Sequence, residues 1–377
     1  MLSVPMVVIS LITLIPLILY VILIVGYTYR WKNYPEYTPG NERKTPSLSV
    51  IIPFHNEQTH LSGILYDLSW QDYPLGKTEI LLVNDQSIDR SVTIIQEYCK
   101  RYKHFRLIHL PDGRSGKKEA IHAGIQSATH DLIITTDADC RADKHWLSTV
   151  ASFYNDFSPS LIIGLVVPED AGKGLFGYFQ QIESISLTGA GAASAMGGKP
   201  IYCSGANLCY PKDSYLMLND PMIKSIASGD DTFLLLQLKK CCRTNIRVLK
   251  SKQALVSTKA EASLKDFFRQ RSRWISKSVY YRDREILYSA LVVLLTNMAI
   301  GLAAVFLLTG YQPWLLPVML ITKLLLDGFF ISDVSTYFGI KFRLPGYIVS
   351  GIIYPFYLVT SIVWAFLAPV DWKGRKQ

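Results

Sequence analysis

The stretch "LIITTDADC", residues 132–140, decides the reading of this chain. Leu132 to Thr136 are apolar or β-branched, the composition of a buried strand. The run then stops at two carboxylates one residue apart, Asp137 and Asp139. In extended backbone, residues i and i+2 point to the same side, so the two acids are expected to present their charges together. Like charges that close repel unless a cation lies nearby. Mg²⁺ or Mn²⁺ is commonly held by one or two carboxylates while substrate phosphates supply further oxygens. A D-x-D taken alone also fits turn and helix-cap residues, a role equally open to Asp139 and Asp143.

Outward from this stretch, short β-rich runs alternate with helix-length amphipathic segments. The expected strands are "LSVIIPF" (48–54), "EILLVND" (79–85), "FRLIHL" (105–110), "DLIITTD" (131–137) and "LIIGLVV" (161–167). Expected helices at 91–102 and 117–128 lie between them. Such alternation implies an α/β fold with a mostly parallel, Rossmann-like sheet covered on both faces. Ligands bind such sheets beyond the carboxyl ends of the strands. Polar residues cluster there after the first, second and fourth runs.

The other candidates read as follows. Asp85 closes the second strand, as an acceptor for the N–H edge of a base or as an Asx-turn residue. "DGRSGKKEA" (112–120) lacks the spacing of a Walker loop and leaves Lys117 at a helix start, suited to an anion. Asp230 and Asp231 open an apolar helix, where the helix dipole favours acids and where one carboxylate can serve as a general base. "FFRQRSRWISKSVYY" (267–281) reads as an interfacial helix, with Arg271 and Arg273 available to clamp a diphosphate and Trp274 to stack on a sugar.

The ends are apolar. Met1 to Tyr29 carries no charge, enough for one bilayer-crossing helix, and a signal peptide is disfavoured by the absent basic leader and cleavage site. Ile286–Thr322 and Leu344–Val370 are also uncharged, with a break at "TGYQPW" (309–314) dividing two passes. Arg30, Lys32, Arg43 and Lys44 follow the first span and place the middle of the chain in the cytosol. Three C-terminal spans put the tail outside, whereas its Lys373, Arg375 and Lys376 favour the inside.

The formal charge of +9 lies largely beside membrane segments, so anionic lipid rather than nucleic acid is the expected partner. Six cysteines without a C-x-x-C pair indicate neither zinc nor a disulfide framework. No G-x-G-x-x-G follows the first strand, which argues against a dinucleotide oxidoreductase.

In order, "SVIIPFHNE", "VNDQSID", "GKKEAIHAG", "TTDADC", "SGAN", "GDDTFLLLQL" and "QRSRW" resemble the motif series of inverting family-2 glycosyltransferases with a GT-A fold. The likeness is to the membrane-integrated branch that includes cellulose, chitin and hyaluronan synthases and ceramide glucosyltransferase. It covers about residues 47 to 280. It implies that Pro53, His55, Glu57, Asp85, Lys117 and Asp137 bind the nucleotide-sugar, a UDP-sugar with Asp85 at the uracil, and that Asp139, with Asp137, holds a divalent metal. It implies Asp231 as the catalytic base, Asp230 standing where Glu is frequent. Gln270, Arg271, Arg273 and Trp274 match the diphosphate and acceptor motif.

The expected domains are a transmembrane helix (1–29), a cytosolic GT-A catalytic domain (30–262), an interfacial helix (263–285) and C-terminal membrane segments (286–377). The expected activity is transfer of one sugar to a lipid or lipid-linked glycan. A processive polysaccharide synthase is the enzyme alternative, although the membrane portion is small for one. An inactive membrane scaffold or nucleotide-sugar sensor is the alternative of another class.

Overall fold

The computed structural model describes residues 4–40, 45–169, 174–223, 229–242, 245–367, 371–372 and 375–376. In chain order, α1 (Val4–Asn33) precedes β1 (Leu48–Phe54), α2 (Leu61–Ser69), β2 (Thr78–Asn84), α3 (Ser91–Arg101) and β3 (Phe105–His109). Then come α4 (Lys117–Ser127), β4 (Leu132–Thr135), β5 (Cys140–Ala142), α5 (Trp146–Phe157), β6 (Leu161–Gly164) and β7 (Val166–Pro168). The remainder comprises α6 (Leu175–Met196), β8 (Leu208–Pro211), α7 (Lys212–Leu216), α8 (Asp230–Cys242), β9 (Ile246–Leu249) and β10 (Val256–Thr258). Next come α9 (Leu264–Ser276), α10 (Arg284–Leu308), α11 (Leu315–Tyr337) and α12 (Leu344–Leu367), followed by the antiparallel pair β11 (Asp371–Trp372) and β12 (Arg375–Lys376).

Two compact units emerge, one formed by Tyr34–Glu169 with Ser194–Lys259, the other by Met1–Asn33, Asp170–Ala193 and Ala260–Gln377. The segment 170–193 thus groups with the terminal helices, not with the α/β unit into which the span 30–262 had placed it.

The α/β unit is built on a seven-stranded sheet in the order β3-β2-β1-β4-β8-β6-β9, with β8 antiparallel to both neighbours. A smaller sheet, β5-β10-β7, stands beside it. Every residue of β1 and β2 is buried, which explains their unbroken apolar runs: both faces of the sheet are covered. The chain goes from β1 outward to β2 and β3, then returns to the other side of β1 as β4. That reversal leaves a crevice beyond the carboxyl ends of β1 and β4. Helix α4 packs closely on β1 and β2, because a Cβ at Gly124 would come within 2.6 Å of Ile51 Cγ2. The expected fifth strand is divided, β6 and β7 joining different sheets at Leu165.

In the helical unit, stretches of α1, α10, α11 and α12 are long and apolar enough to cross a membrane. Side chains such as Ile12, Ile22 and Phe329 are well exposed, a surface suited to lipid tails. Charge inside the bundle is paired. Lys323, 4% exposed, meets Asp327 one turn on, and Asp327 accepts from Tyr20 Oη at 2.6 Å. The aromatic rings of Tyr20 and Tyr354 flank the ammonium at 5.2 and 5.1 Å. Of the tail, Lys373 and the side chains of Arg375 and Lys376 lie outside the described residues, and with them the question of its side.

Removing one member of a buried pair strands the other charge, whereas replacing both is close to neutral. Lys323→Met should lower the melting temperature in detergent by roughly 5 °C or more, and Lys323→Met/Asp327→Leu should recover most of it. Thermal unfolding of the purified full chain checks this; equal losses in both variants would contradict it.

Candidate active site

Beyond β1 and β2, two loops are stitched together by hydrogen bonds. Asn56 N donates to Ser87 Oγ at 3.0 Å, Glu57 N to Ser91 Oγ at 2.8 Å and Gln58 N to Asp89 Oδ2 at 3.0 Å. His55 Nδ1 lies 2.6 Å from the Asp85 carbonyl oxygen. Asn56 and Gln86 both adopt left-handed backbone, φ 53° and 54°, at a cost of order 1 kcal/mol each. Such conformations persist where surrounding contacts over-determine them.

Pro53 fits its strand for a directional reason. Ile51 O accepts from Thr136 N on the β4 side and Phe54 O from Asp85 N on the β2 side, so the missing N–H of Pro53 would face β4. Pairing with β4 ends at Ile51, and no ladder bond is lost.

Asp85 is 1% exposed. At this corner the side chain of its neighbour ties the loop, Asn84 Oδ1 accepting from Ser87 N at 2.9 Å. Asp85 Oδ2 instead accepts from Gly116 N at 3.0 Å. Gly116 has φ 102°, open to glycine and strained for other residues, and the next residue is Lys117, the first of α4.

Lys117 joins the acids. Its Nζ lies 2.7 Å from Asp137 Oδ1 and 3.5 Å from Asp230 Oδ2. Burial lowers its pKa, but Asp137, Asp230 and Asp231 outweigh that and hold the ammonium well above the ordinary lysine value. Asp137 and Asp139 meet in a turn rather than on the pleat of a strand, correcting the expected extended geometry: β4 ends at Thr135, and Cys140 N donates to Asp137 O at 3.2 Å. Burial, then the charges of Asp137 and Glu57, push the Asp139 carboxyl up to about 6.

Asp231 is fixed by backbone donors, Oδ1 accepting from Thr232 N at 2.6 Å and Oδ2 from Gly205 N at 3.3 Å. A Cβ on Gly205 would stand 2.9 Å from Asp230 Oδ2 and 3.5 Å from Lys117 Nζ, so this glycine lets the "SGAN" loop approach both. Two bonds lock that loop from behind: Asn207 Nδ2 donates to the carbonyls of Leu165 and Ala254. Trp146 Nε1 donates to Asn207 Oδ1 at 3.1 Å. In the sequence, the roles of Gly205 and Asn207 are signalled only by a lone amide ahead of an apolar run.

Gln270, Arg271, Arg273 and Trp274 lie on α9, in the helical unit. Arg271, expected to clamp a diphosphate, is buried among residues of its own unit. It is 6% exposed, its Nε donates to Glu183 Oε1 at 2.8 Å, and its guanidinium packs against the Phe267 and Trp274 rings at 4.4 and 4.3 Å. Tyr357 Oη also donates to Glu183 at 2.9 Å, and Gln270 Nε2 donates to Glu261 at 2.6 Å.

Among the described residues, no three His, Cys, Asp or Glu side chains form a metal cage. The donor set nevertheless fits a hard divalent ion of the kind that takes two carboxylates and further oxygens from a phosphate. Asp139, raised by burial and then by its acidic neighbours, is the group that a cation would relieve.

Residues 49–214 match the family model described as Glycosyl transferase family 2, and residues 132–368 match Glycosyl transferase family group 2. A probable glycosyltransferase, YdaM of Bacillus subtilis, is 30% identical over 41% of this chain and 37% of its own length. An N-acetylglucosaminyltransferase of Rhizobium meliloti is 26% identical over 65% of this chain and 58% of its own length. The chain thus spans well under two thirds of these two relatives. Another N-acetylglucosaminyltransferase, from Mesorhizobium japonicum, is 24% identical over 89% of this chain and 84% of its own length. Among solved structures, the mannosyltransferase PcManGT from Pyrobaculum calidifontis, in complex with GDP-Man and Mn²⁺, is similar in fold, with TM-score 0.56 at 15% identity. That match covers 92% of this chain and 99% of PcManGT.

A carboxyl raised to about 6 binds a proton in competition with a cation. Mn²⁺ affinity in the presence of nucleotide, followed by calorimetry, should therefore weaken as pH falls below about 6, by up to about tenfold per unit. Asp139→Asn should remove most of the affinity; a variant that binds Mn²⁺ as wild type does would contradict the assignment.

Proposed function

The chain belongs to glycosyl transferase family group 2, and from that premise we propose that it moves a sugar from a UDP-sugar to a lipid or lipid-linked glycan, with inversion at the anomeric carbon. The observation that carries this reading is the convergence on Lys117: Asp137 and Asp230 touch its ammonium, and Asp85 holds the residue before it. Asp139 and Asp231 are electrostatic neighbours of the same group. Donor-side and acceptor-side acids thus share one edge of the sheet. The N-acetylglucosaminyltransferases among the relatives make UDP-N-acetylglucosamine the first donor to test.

In the proposed mechanism, Asp231 takes the proton of the acceptor hydroxyl, whose oxygen attacks the anomeric carbon as the bond to the diphosphate breaks. The backbone N–H of Gly205 and of Thr232 aim the Asp231 carboxylate, which retains lone pairs for that proton. Lys117 keeps its charge throughout the working pH range and balances the acids before the donor arrives. His55, Glu57 and Asp85 line the base and ribose side, together with Pro53. Asp139, with Asp137, would hold a divalent ion, which when bound polarises the diphosphate and stabilises it as a leaving group. Arg273 and Trp274 on α9 remain assigned to the acceptor and diphosphate side.

The reading as an integral membrane protein is supported by the four candidate spans. Arg30 and Lys32 end α1, Arg282 and Arg284 lead into α10, and Lys341 and Arg343 precede α12, whereas the 309–314 connection between α10 and α11 has no charge. The positive-inside rule then puts the α/β unit in the cytosol. Three crossings after it would carry the tail to the opposite side.

With purified enzyme in lipid, transfer from UDP-N-acetylglucosamine to a polyprenyl-type lipid acceptor should yield one added sugar of inverted configuration, read by mass spectrometry and NMR. Asp231→Asn should lower kcat by about 10²- to 10⁴-fold with donor affinity little changed. Wild-type turnover in that variant would refute the assignment of the base, and a long polymer would favour processive synthesis.

A further inference from the structure

Lys118 follows Lys117 in the first turn of α4, and it is buried, 6% exposed. The N-terminus of a helix carries partial positive charge, so two consecutive lysines there oppose the dipole and need compensation nearby. Lys117 has it in Asp137 and Asp230. Lys118 turns to another set of partners. Its Nζ donates to the carbonyl oxygens of Met222 at 2.6 Å and Ile223 at 3.0 Å, and it stands 4.9 Å from the centroid of the Phe233 ring.

Met222 and Ile223 precede Asp230 and Asp231 in the chain, and Phe233 follows them in the first turn of α8. One ammonium therefore grips the backbone ahead of the two acids and the side chain behind them. Ile223 adds an independent sign of constraint: its φ of 51° is left-handed, a genuine outlier for a β-branched residue. Strain of this kind survives only where neighbours over-determine it, and two carbonyls drawn to one cation do so.

We infer that Lys118 is a positioning residue for the transfer reaction, tying the backbone at Met222 and Ile223 to Phe233 in the first turn of α8 so that Asp231 meets the acceptor hydroxyl beside the donor. The inference rests on the reading of Asp231 as the base. Lys118 touches neither substrate. Adjacent lysines on one helical turn divide the work: Lys117 serves the D-x-D turn and Asp230, while Lys118 fixes the chain on either side of the acids. Loss of Lys118 leaves Asp85, Lys117, Asp137 and Asp139 in place, so turnover suffers and donor binding does not.

The test compares Lys118→Met and Lys118→Arg with wild type in the UDP-N-acetylglucosamine assay, alongside UDP affinity. Lys118→Met should lower kcat by about 10- to 100-fold, the scale of a misplacement near 1 Å, with UDP affinity within about threefold. Lys118→Arg, which keeps the cation, should recover most of kcat. A Lys118→Met enzyme with kcat within about threefold of wild type, or with UDP affinity falling in step with kcat, overturns the inference. Should Lys118→Met not fold, Phe233→Leu is read in its place: lower kcat at unchanged UDP affinity supports the inference and unchanged kcat overturns it. Asp231→Asn is measured in parallel. Full activity there sinks the base assignment, whereas an inactive Asp231→Asn beside a fully active Lys118→Met sinks only the role of Lys118.

Discussion

The contact of the Lys117 ammonium with Asp137 and Asp230 is the interaction on which the rest of the α/β unit turns. Three chain segments distant in sequence meet there: the start of α4, the turn after β4 and the start of α8. Gathering four carboxylates at one edge of a sheet is costly unless positive charge is interleaved. Lys117 supplies that charge, and the Asp139 carboxyl, pushed up by burial and then by Asp137 and Glu57, is the group that a cation beside a diphosphate would relieve.

The scaffold around this contact serves to keep it in place. Gly124 lets α4 press onto β1 and β2, which sets where its first residue falls. Gly205 lets the loop ahead of β8 reach Asp230, and Asn207 ties that loop to Leu165 and Ala254. In the helical unit the same logic appears in apolar surroundings, where Glu183 answers Arg271 and Asp327 answers Lys323. Buried charge is tolerated in both units only in company.

Much of this was legible in the sequence. Strands β1 to β4 follow the apolar runs to within a residue or two, because parallel strands buried on both faces leave so plain a trace. Asp85, Asp137 and Asp139 stand out by their place at strand ends, and Lys117, Asp230 and Asp231 by their place at helix starts. Other features were hidden because they depend on tertiary partners. Nothing in "QRSRW" says that Arg271 is answered by Glu183, a residue far upstream on α6. Nothing in "GKKEA" distinguishes a lysine that faces acids from one that faces carbonyls. The turn at Asp137–Asp139 and one more pleat are equally open to a D-x-D at the end of a strand, and only the backbone bond from Cys140 N to Asp137 O decides between them.

The central claim is that the acids around Lys117 receive a divalent ion together with the donor's diphosphate. Electron paramagnetic resonance of Mn²⁺ bound to the enzyme with UDP measures this most directly. Phosphorus hyperfine couplings from the diphosphate on the protein-bound ion, lost when Asp139 is replaced by Asn, are the predicted result. A spectrum of Mn²⁺ free in solution, or couplings unchanged in that variant, would contradict it.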